Sequence, residues 1–168
     1  MEEAYILHQT PRTLAEDLIK LTPLEESDVV LEPFRGEGAF YDALPPFVNK
    51  QWCESTQGKD YTDFIGSAQW VVSNPPYTLT VKDKKVNAVW LLVDCFSTRA
   101  SKGIAFLIND NCLSALTPKR LEILAGRDLY LTNMIVCSVK KWRGRYYYVI
   151  FQKGKKSDSF QFLLPNYI

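Results

Sequence analysis

Along the chain, short apolar runs alternate with amphipathic stretches, and their order predicts strands alternating with helices. Thr10-Pro11-Arg12-Thr13 opens a helix, with Thr10 as N-cap, Pro11 at the first helical position and Leu14, Leu18 and Ile19 on one face. It should end near Thr22-Pro23. Val29-Val30-Leu31 reads as a first strand, followed at once by the turn Glu32 to Phe40, and Pro45-Pro46 keeps the next helix short. Lys50 to Cys53 is a second strand that ends in Glu54, and Gly58 to Tyr61 is a loop. Trp70 to Ser73 is a third strand. A helix from Lys84 to Thr98, a strand from Ile104 to Ile108 and a helix from Pro118 to Ala125 continue the alternation. Met134 to Val139 and Tyr146 to Phe151 leave no room for a helix between them and predict an antiparallel hairpin. The tail from Ser159 to Ile168 is read as an edge strand or a surface segment. The pattern is that of an α/β sandwich around a mainly parallel sheet.

Length changes little: 168 residues predict one domain spanning 1–168. The 46% hydrophobic and 23% charged residues are ordinary for a globular protein. Cysteine use is more informative. Cys53, Cys95, Cys112 and Cys137 are far apart and His8 is the sole histidine, so a zinc site or a Cys/His catalytic pair has almost no material. Metal ligands are therefore not expected. The acidic start Met1-Glu2-Glu3 and an apolar run, Ala88 to Phe96, that is interrupted by Asp94 predict neither a signal peptide nor a membrane span. Reduced thiols in the cytoplasm are the corresponding expectation.

Charge is unevenly spread. Seven basic residues and no acidic one fall between Lys140 and Lys156, in a chain whose formal net charge is +1. Such segregation suits a polyanion, although a solvated hairpin with lysines on its edges accounts for the charge equally well.

The candidate chemistry begins at Ser73-Asn74-Pro75-Pro76-Tyr77, directly after an apolar strand. Two prolines donate no backbone N–H, so the ladder stops and nearby carbonyls stay available as acceptors. Asn74 and the Pro75 carbonyl can accept the two N–H bonds of an amino-bearing heterocycle, and Tyr77 can stack on its ring. The plainer alternative is an ordinary strand-ending Pro-Pro turn. In an open parallel sheet, ligands sit outside the carboxyl ends of the strands, where Glu32 to Phe40, Glu54, Asp60 and Asn74 all fall. Glu54 is placed to hold ribose hydroxyls, and Asp60 with Tyr61 to hold an adenine. A nicotinamide site is disfavoured, because Tyr41 stands where that fingerprint requires a third glycine.

Together these residues resemble the class I S-adenosylmethionine-dependent amino-methyltransferases, especially the N6-adenine methyltransferases. The family's acid-Pro-Phe-x-Gly-x-Gly-x-Phe run is matched by Glu32, Phe34, Gly36, Gly38 and Phe40; its Asn-Pro-Pro-Tyr by Asn74, Pro75, Pro76 and Tyr77; its Thr-Pro helix by Thr10 and Pro11. The order of the motifs is similar to the γ arrangement. The resemblance implies a Rossmann-like, seven-stranded sheet with the last pair reversed, S-adenosyl-L-methionine as cofactor, and methyl transfer to adenine N6 in nucleic acid, DNA favoured modestly over RNA. The chain departs from that pattern in one respect: the compact run from Tyr77 to Trp142 is expected to hold no target recognition domain of the kind usual in DNA-modifying relatives, so that a specificity subunit or a homodimer would supply selectivity. Lys82, Lys84 and Lys85, with Lys140, Lys141, Trp142, Arg143 and Arg145, are the candidate nucleic-acid contacts. Two alternatives remain: a protein glutamine N5-methyltransferase, which meets the same problem of a weakly nucleophilic nitrogen, and a non-catalytic partner subunit with this fold.

Overall fold

The computed structural model describes residues 9–140 and 142–155. Lys141, Lys156 and the tail from Ser159 to Ile168 lie outside the described residues. In chain order the elements are α1 (Arg12–Leu21), β1 (Val29–Glu32), α2 (Ala39–Ala43), β2 (Asn49–Trp52), β3 (Ala68–Ser73), β4 (Thr78–Val81), β5 (Lys84–Asn87), α3 (Ala88–Ser97), β6 (Ala100–Asn109), α4 (Asp110–Leu113), α5 (Pro118–Ala125), β7 (Leu129–Cys137) and β8 (Tyr146–Lys153).

One six-stranded sheet has the order β2-β1-β3-β6-β8-β7. Strands β1, β2, β3 and β6 run parallel, whereas β8 is antiparallel to both β6 and β7. Neighbouring residues of each strand enter opposite cores, as the period of a pleated strand requires. Leu31, Val71, Ile104, Phe106, Val149 and Phe151 pack with α3, α4 and α5, while Val30, Trp70, Val72, Ala105, Leu107 and Ile150 pack on the side of α1 and α2. Both faces are covered. That is why these strands read as nearly continuous apolar runs.

The fold departs from the sequence expectations at four points. Among the described residues the main sheet has six strands, not seven, and residues 53–67, after β2, form two single 3-10 turns, Ser55–Gln57 and Tyr61–Asp63. Helix α1 starts at Arg12 with Pro11 as its N-cap; Thr10 lies one residue outside and does not cap it. The helix expected from Lys84 begins at Ala88, and residues 84–87 pair with β4 in a small hairpin. Its turn residues Lys82 and Asp83 have φ of 49° and 61°, left-handed values that a lysine rarely adopts and an aspartate adopts more readily. The short helix α4 was not foreseen.

Trp70 is a core residue, 2% exposed. It lies against Gly103, where an added Cβ would come within 2.5 Å of the indole and 2.4 Å of the Phe151 carbonyl. Glycine is the residue that lets β6 pass over that ring. No helix among the described residues is long and apolar enough to cross a membrane.

Candidate active site

Because β1, β2 and β3 are parallel, their carboxyl ends open on the same side and carry Glu32, the Cys53-Glu54 step and Asn74. After β1 the chain turns sharply. Gly36 and Gly38 have φ of 51° and 91°, and the Gly38 amide donates to the Arg35 carbonyl at 2.8 Å. These left-handed positions cost a side-chain-bearing residue strain, and Gly38 also serves as N-cap of α2.

The turn is stitched to the end of β2. Gly36 donates its amide to Glu54 Oε2 at 2.8 Å, and Glu54 Oε1 accepts from the Thr56 amide at 3.1 Å and the Thr56 hydroxyl at 2.7 Å. Partial burial pulls the Glu54 carboxyl up, but the Thr56 and Gly36 hydrogen bonds outweigh it and hold the group below the usual carboxylate range. Asp60 is similarly held low by the hydroxyl and amide of Thr62. Both carboxylates thus cap 3-10 turns, duties that their place at strand ends does not reveal.

Glu32 is the opposite case. It is 2% exposed, its Oε2 has no hydrogen-bond partner, and burial pushes its carboxyl up to about 9, against weaker pulls from the Tyr41 amide and Arg35. A buried acid with one oxygen left unpartnered at a strand end suits a cationic or hydrogen-bonding ligand.

A cavity of about 50 Å³ lies there, lined by Gln9, Thr10, Glu32, Phe34, Arg35, Gly36, Ala39, Phe40 and Asn74. Six sequence candidates from three separate stretches meet on its walls: Thr10, Glu32, Phe34, Gly36, Phe40 and Asn74. Its size suits one small charged group, so it forms the floor of a site rather than the whole of it. The Phe34 ring contacts Tyr61 at 5.0 Å between centroids, whereas Phe40 stacks on Tyr148 in the core. Asp60 does not reach this cavity. It lines a broader depression of about 480 Å³ along the outer edge of β2, with Tyr41, Lys50, Trp52, Lys59 and Phe64. The chemistry converges on the smaller space.

Asn74 follows β3 directly. Its Nδ2 donates to Thr10 Oγ1 at 3.1 Å, and its Oδ1 accepts from the Tyr77 hydroxyl at 2.9 Å. Burial raises the Tyr77 phenol further above its ordinary value, so the hydroxyl keeps its proton across the accessible pH range. The Tyr77 ring packs on Tyr146 at 6.4 Å, and Tyr146 on Trp142 at 4.6 Å. Lys82, Lys84 and Lys85 are exposed on the β4–β5 hairpin, and Lys140, Arg143 and Arg145 on the β7–β8 loop; the Arg145 guanidinium lies 3.8 Å from Asp110. The two basic segments flank the Tyr77–Tyr146 contact in the chain, one following Tyr77 and the other preceding Tyr146. Among the described residues no His/Cys/Asp/Glu cluster is arranged to hold a metal ion.

No protein-family model and no curated protein matches the sequence. Solved structures do match. A candidate class I S-adenosylmethionine-dependent methyltransferase from Listeria monocytogenes superposes with a TM-score of 0.69 at 12% identity, over 91% of this chain and 63% of that one. The type I restriction-modification system methyltransferase subunit from Streptococcus thermophilus gives 0.64 at 12% identity, over 92% and 47%. A chain of the E. cuniculi complex responsible for methylating a translation termination factor gives 0.57 at 16% identity, over 85% and 94%. The fold is that of the class I methyltransferases. The chain spans 63% of the first of these proteins and 47% of the second.

Proposed function

We propose that the chain transfers a methyl group from S-adenosylmethionine to the N6 amino group of an adenine in nucleic acid, with DNA preferred modestly over RNA. One convergence supports the reading: Asn74 lines the same cavity as the Gly36 turn and Glu32, whose Oε2 has no hydrogen-bond partner. A cofactor held by the turn and an acceptor held by Asn74 would therefore adjoin.

The residues fit that cofactor. Glu32 answers its positive charge, Phe34 and Tyr61 offer ring surface, and Glu54 offers acceptors to its hydroxyls, whereas Asp60, on the outer depression, could serve its amino group only if the cofactor extends past the end of β2. When bound, S-adenosylmethionine supplies a methyl on a sulfonium centre, which departs as a neutral thioether. The protein's part is to prepare the acceptor. An aryl amine is weakly nucleophilic because its lone pair is shared with the ring; accepting its two N–H bonds at Asn74 Oδ1 and the Pro75 carbonyl favours a more pyramidal nitrogen. Asn74 Oδ1 has two lone pairs, so the Tyr77 hydroxyl does not by itself exhaust it. Charge that builds on the amine is met by these fixed oxygens and the Tyr77 ring, and the methylated amine then sheds a proton to solvent. Orientation does most of the work, so no strong base is needed.

The test is labelled-methyl transfer to duplex DNA, single-stranded DNA, structured RNA and protein, with mass spectrometry of the product. N6-methyladenine is the expected product, and Asn74→Ala should abolish it while changing cofactor affinity by less than about threefold. The same asparagine chemistry serves an amide nitrogen, and a chain of the E. cuniculi complex responsible for methylating a translation termination factor is spanned over 94% of its length. Methylglutamine in protein without N6-methyladenine would therefore replace this reading. A chain that gives no heat with S-adenosylmethionine in calorimetry would instead be a non-catalytic subunit.

A further inference from the structure

The two ends of the Asn74 carboxamide differ in charge but hardly in shape, and only one orientation turns Oδ1 toward an incoming amine. The reverse orientation would set an NH2 against an NH2. Hydroxyls that meet the two ends fix the plane in which the amide lies. Tyr77, three positions along the same turn, contacts one end; the other end is met by Thr10, 64 positions away.

Thr10 is well anchored for such a task. Pro11 follows with φ of −55°, and Arg12 starts a helix whose Leu14, Ala15, Leu18 and Ile19 are buried, so the hydroxyl hangs from a fixed frame. The far end of that helix is tied down as well, by a 2.7 Å hydrogen bond between Thr22 and Tyr148. Thr10 and Glu32 line the same cavity.

We infer that Thr10 is a positioning residue: its hydroxyl accepts from Asn74 Nδ2 and holds the carboxamide plane in the pose that presents Oδ1 to the acceptor amine. This rests on the methyl-transfer reading and assigns Thr10 work on the catalytic amide, separate from helix capping or cofactor contact. A threonine that only lined the cofactor site would affect cofactor affinity and leave turnover at saturation alone. A positioning threonine would do the reverse.

Thr10→Val keeps the shape and deletes the acceptor. At saturating cofactor, with an adenine-containing single-stranded oligonucleotide, it should lower kcat about tenfold and move KM less than about twofold; Thr10→Ser should recover most of the loss. An arm without turnover uses the 15N–1H signals of the Asn74 side-chain amide, identified by their disappearance in Asn74→Ala. Thr10→Val should shift them and speed their exchange, and Thr10→Ser should leave them near their original positions. If Thr10→Val does not fold, Thr10→Ala takes its place in both arms. Unchanged amide signals, or wild-type kcat in an active enzyme that lacks the hydroxyl, would overturn the inference alone. A wild-type chain that methylates no acceptor would overturn the methyl-transfer reading and, with it, the positioning role of Thr10, even if the amide signals moved as expected.

Discussion

Replacing Glu32 by glutamine keeps the shape of a side chain that is 2% exposed and removes its ionisation. With its carboxyl pushed up from the ordinary 4.5 to about 9, the folded protein holds this proton where the unfolded chain has released it. The sign follows from linkage: the folded pKa is the raised one, so the stabilisation is complete below pH 4.5 and is lost progressively as pH rises toward 9. Each pH unit in that window is worth about 1.4 kcal/mol, or roughly 3 kcal/mol between pH 6 and 8. For a chain of this size that is a fall in Tm of roughly 5 to 10 °C. Thermal melts of wild type and Glu32→Gln across pH 5 to 9 should therefore diverge, the variant gaining relative stability as pH rises. Cofactor binding carries the opposite dependence. A cation beside Glu32 requires the ionised form, so binding to wild type should release a proton and tighten by up to about tenfold per pH unit. Calorimetry in buffers of different ionisation enthalpy reads that proton, and Glu32→Gln should abolish it. A stability difference between the two proteins that is flat from pH 5 to 9 would refute the argument.

Glu54→Ala removes the acceptor of the Gly36 amide as well as the turn cap, so it should weaken cofactor binding by about 1 to 3 kcal/mol in calorimetry and also lower Tm; unchanged affinity would put the cofactor elsewhere. Gly103→Ala drives a methyl group into Trp70 and the Phe151 carbonyl and should cost about 3 kcal/mol or more in denaturant titrations. Removing charge at Lys140, Arg143 and Arg145 together should lower nucleic-acid affinity and reduce the slope of log K against log salt by up to about 3; an unaltered slope would take the phosphates away from the β7–β8 loop.

How far the sequence could be read depended on how local each signal was. Helix α5 runs from Pro118 to Ala125 as its N-terminal proline predicts, and the β7–β8 pair follows from two β-rich runs with no helix between them. The β4–β5 hairpin was hidden because its turn uses Lys82 and Asp83 in left-handed conformations, with no glycine or asparagine to mark it. Its second strand also abuts the apolar start of α3, so residues 84–98 carry the pattern of a single helix. Thr10-Pro11 has the form of a helix cap, yet the hydroxyl is turned to Asn74, a tertiary contact that no local propensity encodes. Glu54 and Asp60 were legible as acids near strand ends, but their capping of Thr56 and Thr62 depends on two 3-10 turns in a stretch whose pattern reads only as a loop.

Ending the sheet at β2 leaves that strand hydrogen-bonded on one side only, among the described residues. An open edge is a template for any other extended chain, and its reach grows with its length and flatness. In this protein the edge is four residues long and carries Lys50, and Lys59 sits 3.9 Å above the Trp52 ring while Arg35 lies 4.9 Å from it. The cations deny a neutral strand a dry surface to settle on. The resistance of this edge to strand addition is thereby tied to two lysines and an arginine that contribute little to the core, and a strand-favouring apolar residue at position 50 would convert this margin of the sheet into a growth point.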